Sequence, residues 1–236
     1  MNGPLIFSFF ALLHWCIALA ALVFIGDMLL PALCLFLVEI VTAFDNGATV
    51  LGKRIGIGEQ AENLSRKRFL LHATCIAFLL PVYSGIGGAV AFSPFGSVLA
   101  SIISWLLVIL IGAYGYIYQY QGMQPLMPVN YFGCLRYAQS VTDITHYPGY
   151  EYSEQDLKAR GKLPMASVMT MVSALLLSLL IGWFGMFWVP FVVTVMMFLA
   201  AGLPQRGWGP LITSCLEVIF SSGLLYSLWY VSVLPG

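Results

Sequence analysis

Residues 37–52, LVEIVTAFDNGATVLG, set Glu39, Asp45 and Asn46 inside an apolar run long enough to cross a bilayer. A carboxylate at membrane depth costs about 2.5–3.5 kcal/mol on insertion scales, so it persists where it faces a protein interior or a wet cavity. A lone anchor helix offers neither. The rest of the chain must therefore supply an interior, and the simplest one is a bundle of helices.

The remaining sequence fits that demand. Apolar runs recur at 5–25, 29–51, 69–92, 96–118, 163–183, 186–201 and 211–231, and about twenty residues cross a hydrocarbon core of about 30 Å. Hydrophobic residues make up 60% of the chain and charged ones 8%, against about a quarter charged in soluble domains. The expected fold is an all-α, polytopic transmembrane bundle of about seven spans, one domain over 1–236, embedded in lipid. Polar loops are expected at 52–68 and 119–162, the second carrying one or two short surface helices. The run at 186–201 is short and contains Pro190, so a re-entrant hairpin is the alternative there. No basic residue precedes the first run, which therefore reads as a retained helix. Zero net charge gives no reason to expect a nucleic-acid partner. The five cysteines show no CxxC spacing, which indicates neither a disulfide framework nor a zinc site.

Orientation follows from the basic residues. With seven spans and a cytoplasmic N-terminus, Lys53, Arg54, Arg66, Lys67 and Arg68 lie in the first inside loop. Arg136, Lys158, Arg160 and Lys162 lie in the second and Arg206 in the third, so all ten share one face. Adding or deleting one span would scatter them. The Arg66-Lys67-Arg68 run reads as a topology anchor near anionic headgroups.

At 1.5 Å per residue, Asp45 and Glu217 lie roughly 9–10 Å from the cytoplasmic end of their spans, and His72 about 5 Å. His14 and Glu39 lie deeper, at roughly 14–18 Å. Ionisable groups from four spans thus fall in one half of the membrane. On a regular helix Glu39 and Asp45 are about 240° apart and share no face. An opening of the helix at Asp45-Asn46-Gly47 would turn both into one cavity, with Thr42 able to hydrogen-bond either. Glu217 has Thr213, Ser214 and Ser221 on its own face. The candidate ion-binding or proton-coupling residues are Glu39, Asp45, Asn46 and Glu217, supported by Thr42, His72 and Ser221. Hard oxygen donors at Glu39, Asp45 and Glu217 would suit a divalent cation as substrate, with no bound cofactor expected. The bland readings are a neutral structural Glu217, a packed or interfacial His14 and a His72 that caps a helix start beside Arg68.

The segment VEIVTAFDNGATV resembles the signature of the TerC family of integral membrane proteins, in which a Glu is followed six residues later by Asp-Asn. Here Glu39, Ile40, Val41, Asp45 and Asn46 match it. The resemblance implies kinship with small exporters of amino acids and heavy metals, and metal-ion handling, manganese efflux in particular. It also implies a second acidic motif in the other half. The best candidate is residues 216–223, a weak internal repeat with Gly223 where the first copy has Asp45 and Leu224 where it has Asn46.

Three functions compete: a secondary transporter of a small cation, a membrane-embedded enzyme acting on a lipid or quinone through Asp45, His72 and Glu217, and an accessory subunit whose carboxylates lock helices together. An enclosed polar cavity favours the first, a lateral opening at His72 the second, and full internal pairing the third. The topology is directly testable. Cysteine labelling at Arg66 and at Lys158 should succeed from the cytoplasmic side, and labelling of either from the outer side would overturn the arrangement.

Overall fold

A computed structural model describes residues 2–24, 28–141, 144–158, 164–203 and 206–234. Ile25 at the end of the first apolar run, Leu163 at the start of the fifth, and Arg160 and Lys162 of the second polar loop lie outside the described residues. Two long helices open the chain, α1 (Gly3–Ala21) and α2 (Leu29–Ile55). They are followed by α3 (Glu59–Cys75), α4 (Leu79–Val90) and α5 (Pro94–Tyr114). A small sheet of β1 (Met127–Tyr131), β2 (Cys134–Ala138) and β3 (Thr145–His146) comes next, then a short α6 (Glu154–Lys158). The chain closes with α7 (Met165–Gly185), α8 (Val189–Ala201) and α9 (Gly209–Ser232).

Among the described residues, six helical stretches are long and apolar enough to cross a membrane: Gly3–Phe24, Leu29–Ile55, Glu59–Val90, Gly96–Gln121, Met165–Gly185 and Gly209–Ser232. This is compatible with a multi-pass membrane protein built as a helical bundle. The remaining apolar helix, α8, has 13 residues, about 20 Å of rise. The backbone of Gly185 at the end of α7 packs against Val90 at the end of α4, whereas the Trp208 ring, just before α9, lies tilted against Phe132 at the tip of the sheet. α8 therefore carries the chain from the end of the bundle remote from the sheet back to the end beside it.

Two sequence expectations change. The first polar loop is not a loop over 52–68. α2 runs on to Ile55 and α3 begins at Glu59, because Gly56 (φ 80°) and Gly58 (φ 154°) make the turn in backbone that side chains resist. The second change is the sheet, an antiparallel order β2-β1-β3 in place of helices alone. Met127 to Ala138 pairs as a hairpin in which Tyr131 faces Cys134. The two connecting residues, Phe132 (φ 53°) and Gly133 (φ 83°), both take left-handed conformations, the pattern of a tight I′ turn. Asn130 Oδ1 accepts the Gly133 N–H at 2.7 Å and holds the turn closed. Asn-Gly or Asp-Gly announces such turns; here Phe stands first, which hid it.

α4 is the centre of the bundle. It packs against α2, α5, α7 and α9, and Leu79, Leu80, Val82, Tyr83 and Ile86 are all buried. Its Gly85 lies against the ring of Pro31 on α2, which a side chain would prevent. A 3-10 turn at Ile76–Phe78 separates α3 from α4, where Pro81 removes the N–H that would bond to Ala77 and crowds its carbonyl. Beyond α5 a π-helical turn at Gly115–Gln121 brings Gly115 against the Ala73 carbonyl, and Tyr116 and Tyr118 are exposed there as an aromatic belt would require.

The sheet sits on one end of the bundle. A Cβ on Gly3 of α1 would overlap the Phe132 carbonyl oxygen, and one on Gly52 of α2 the Leu135 carbonyl oxygen. Gly47 of the same helix has open space around it. Gly52→Ala should therefore lift the hairpin and cost about 1–3 kcal/mol, whereas Gly47→Ala should stabilise α2 by about 0.5–1 kcal/mol. Thermal unfolding in detergent should place the two variants on opposite sides of the parent. The same order for both would refute the seating of the hairpin on Gly52.

Candidate functional site

α2 carries its acidic residues on an unbroken helix, so the expected opening at Asp45-Asn46-Gly47 does not occur. The reason lies in the side chains around it. Thr42 donates to Val38 O, Asn46 Nδ2 to Thr42 O and Thr49 to Asp45 O, at 3.0, 3.1 and 3.0 Å. Each bonds back one turn, which satisfies a buried polar group without breaking the ladder. Thr42 is thus not a partner of either carboxylate. With α2 regular, Glu39 and Asp45 face different neighbours.

Glu39 meets His14. α1 and α2 pack along their lengths, and His14 Nδ1 lies 2.7 Å from Glu39 Oε2, with the side chains 0% and 1% exposed. Each gives the other the polar partner that burial would otherwise deny it. His14 Nε2 is buried and has no hydrogen-bond partner among the described residues.

Asp45 meets two arginines. Arg68 Nε of α3 lies 3.1 Å from Oδ1, and Arg136 Nη2 of β2 donates to both oxygens at 3.4 and 3.3 Å. Arg68 is 4% exposed, so it is no surface anchor; in the basic run only Arg66 pairs on its own helix, with Glu62 at 2.7 Å. Arg68 lies over the Phe69 ring at 4.6 Å and Arg136 over the Tyr131 ring at 4.3 Å. Arg68 Nη2 also donates to Tyr137 O at 3.3 Å, while the Tyr137 hydroxyl accepts from Gly58 N at 3.0 Å. The hairpin is thereby clamped to α3 and to the turn before it. Burial, with Glu217 and Asp45 nearby, pushes the Tyr131 phenol well above its usual range, so it stays protonated beside the arginine.

Glu217 of α9 is half-buried and close enough to His14, Asp45, Arg136 and Glu39 to feel their charges. It makes no hydrogen bond or ion pair among the described residues. The expected convergence of Asp45, Glu217 and a deeper Glu39 is thus seen as one electrostatic neighbourhood, not as direct contact. Ser221 and Ser214 are buried on the same helix, and Thr213 bonds to Ala200 O at 3.5 Å. His72 is half-buried one turn beyond Arg68 and joins none of these groups. Among the described residues no set of three or more His, Cys, Asp or Glu side chains converges as metal donors. Glu39, Asp45 and Glu217 are held apart, the first by His14 and the second by the arginines.

No family model, curated protein or solved structure matches the chain.

Removing one member of a buried pair costs about 3–5 kcal/mol, and replacing both by apolar residues is often neutral. Glu39→Leu and His14→Leu alone should each lower thermal stability in detergent strongly, and the double variant should recover much of the loss. A double variant as unstable as the sum of the singles would show that the two side chains are not coupled.

Proposed function

We propose that the chain is a seven-crossing membrane protein, N-terminus cytoplasmic, that works as a proton-coupled secondary transporter with Glu217 as the proton-carrying group. The observation that carries this reading is Glu217 itself: an acidic side chain on the membrane-length apolar helix α9, inside the field of His14, Glu39, Asp45 and Arg136, with no hydrogen-bond partner among the described residues. A carboxylate left unpaired in low dielectric exchanges its proton as its surroundings change. The likeness of residues 38–50 to the TerC motif points the same way, towards export. The seven crossings rest on the basic residues gathered at the sheet end and on the course of α8.

The cargo first expected, a divalent cation held by Glu39, Asp45 and Glu217, has weaker support than a proton. Asp45 is already neutralised by Arg68 and Arg136, and a cation there would meet two positive charges. The enzyme reading lacks its base, since His72 stands apart from the acidic layer. The accessory-subunit reading draws on one specific observation, the complete pairing of Glu39 and Asp45.

The test is flux in everted vesicles under an imposed pH gradient, followed with a pH-sensitive dye and a panel of added divalent cations. Glu217→Gln should abolish proton movement while membrane insertion and expression are retained. Asp45→Asn should also impair it, by removing a negative charge from the neighbourhood of Glu217. Unchanged flux in Glu217→Gln, or no flux in the parent, would move the accessory role to first place.

A further inference from the structure

A guanidinium presents N–H donors in a planar fork suited to a two-oxygen acceptor. Arg68 and Arg136 share one carboxylate, Asp45, through contacts of 3.1 to 3.4 Å, whereas charge-assisted N–H···O bonds usually run to about 2.7–2.9 Å. The fork is therefore under-filled. Arg68 directs Nε to Asp45 and Nη2 to Tyr137 O, and its Nη1 is buried with no acceptor among the described residues. Glu217 bonds to neither arginine. Arg136 is 20% exposed and Asp45 23%, so the fork is open on their side, with Arg68 behind Asp45 and met once that carboxylate is displaced.

We propose that Arg68 and Arg136 form a binding site for a small oxyanion, a carboxylate or phosphate group, and that Asp45 fills it as an internal counterion. An incoming anion competes with Asp45 for the two guanidiniums and offers an acceptor to Arg68 Nη1. The rings of Phe69 and Tyr131 lie against the guanidinium faces and leave the N–H edges for the ligand. Because Arg136 arrives on the hairpin, the site is complete only with the hairpin seated. The anion has two sources, a soluble solute or an anionic lipid headgroup.

Binding can be read on the purified full-length protein without any transport, so this proposal and the proton reading fail separately. The probe is sulfate, titrated by calorimetry into protein in phosphatidylcholine nanodiscs. Asp45→Asn removes the competitor and should tighten sulfate binding at least tenfold over the parent. Arg136→Gln should weaken it at least tenfold, and Arg136→Lys, which keeps the charge but loses the fork, should fall between. Size-exclusion profiles matching the parent show which variants are folded, and the Arg136→Lys comparison stands if Asp45→Asn is not. Repeating the titration in phosphatidylglycerol nanodiscs separates the sources: competition by the lipid assigns a headgroup, and unchanged sulfate affinity assigns a soluble anion. Sulfate affinity that is equal in the parent and the folded variants, with no effect of phosphatidylglycerol, would overturn the site.

Discussion

The Asp45 carboxylate between Arg68 and Arg136 is the interaction on which the sheet end of the molecule depends. Burying a guanidinium as deeply as Arg68 is costly unless an anion and further acceptors meet it. Asp45 supplies the anion from α2 and the Tyr137 carbonyl supplies an acceptor from β2. The same carboxylate then takes Arg136 from the hairpin. Three elements remote in sequence are thus held at one point, and none of them carries a charge that could be left there alone. The close approaches at Gly3 and Gly52 let the hairpin come low enough for Arg136 to reach.

The two acidic motifs are not equivalent in this arrangement. In α2 the side chains that follow Glu39 bond back into their own helix and leave it straight, so its two carboxylates are served from outside by α1, α3 and β2. In α9 the corresponding positions are Gly223 and Leu224, and Gly223 is used for packing against Val193 of α8. The second segment therefore keeps one carboxylate, while position 223 serves helix packing. Among the described residues Glu217 is the carboxylate of the three that has no hydrogen-bond partner.

Much of the bundle could be read from apolar runs, because crossing a membrane imposes length and composition directly. That His14 and Glu39 lie at one depth also followed, since depth along a helix is a matter of counting. The pairings did not. His14 and Glu39 had matching depths, which hinted at their contact, but lateral neighbours depend on which helices pack together. Arg68 looked like part of a surface run because three basic residues in succession usually are one; helix geometry turns the third inward. Arg136 was hidden for a different reason: its partner lies on the far side of a hairpin whose turn begins with Phe132 instead of Asn. The regular α2 was missed because Asn46 and Gly47 are residues that tolerate an opening, and tolerance is not demand.

Charge balance links the proton and the anion. At the sheet end Arg68 and Arg136 carry two positive charges and face the Asp45 carboxylate, with Glu217 nearby. An oxyanion entering the fork would add a negative charge in a medium that tolerates little imbalance. A proton on Glu217 would cancel that charge without breaking any hydrogen bond seen among the described residues. Asp45 is tied to both arginines and Glu39 to His14, so of the three carboxylates Glu217 is the one whose charge can answer an occupied fork with no pairing lost.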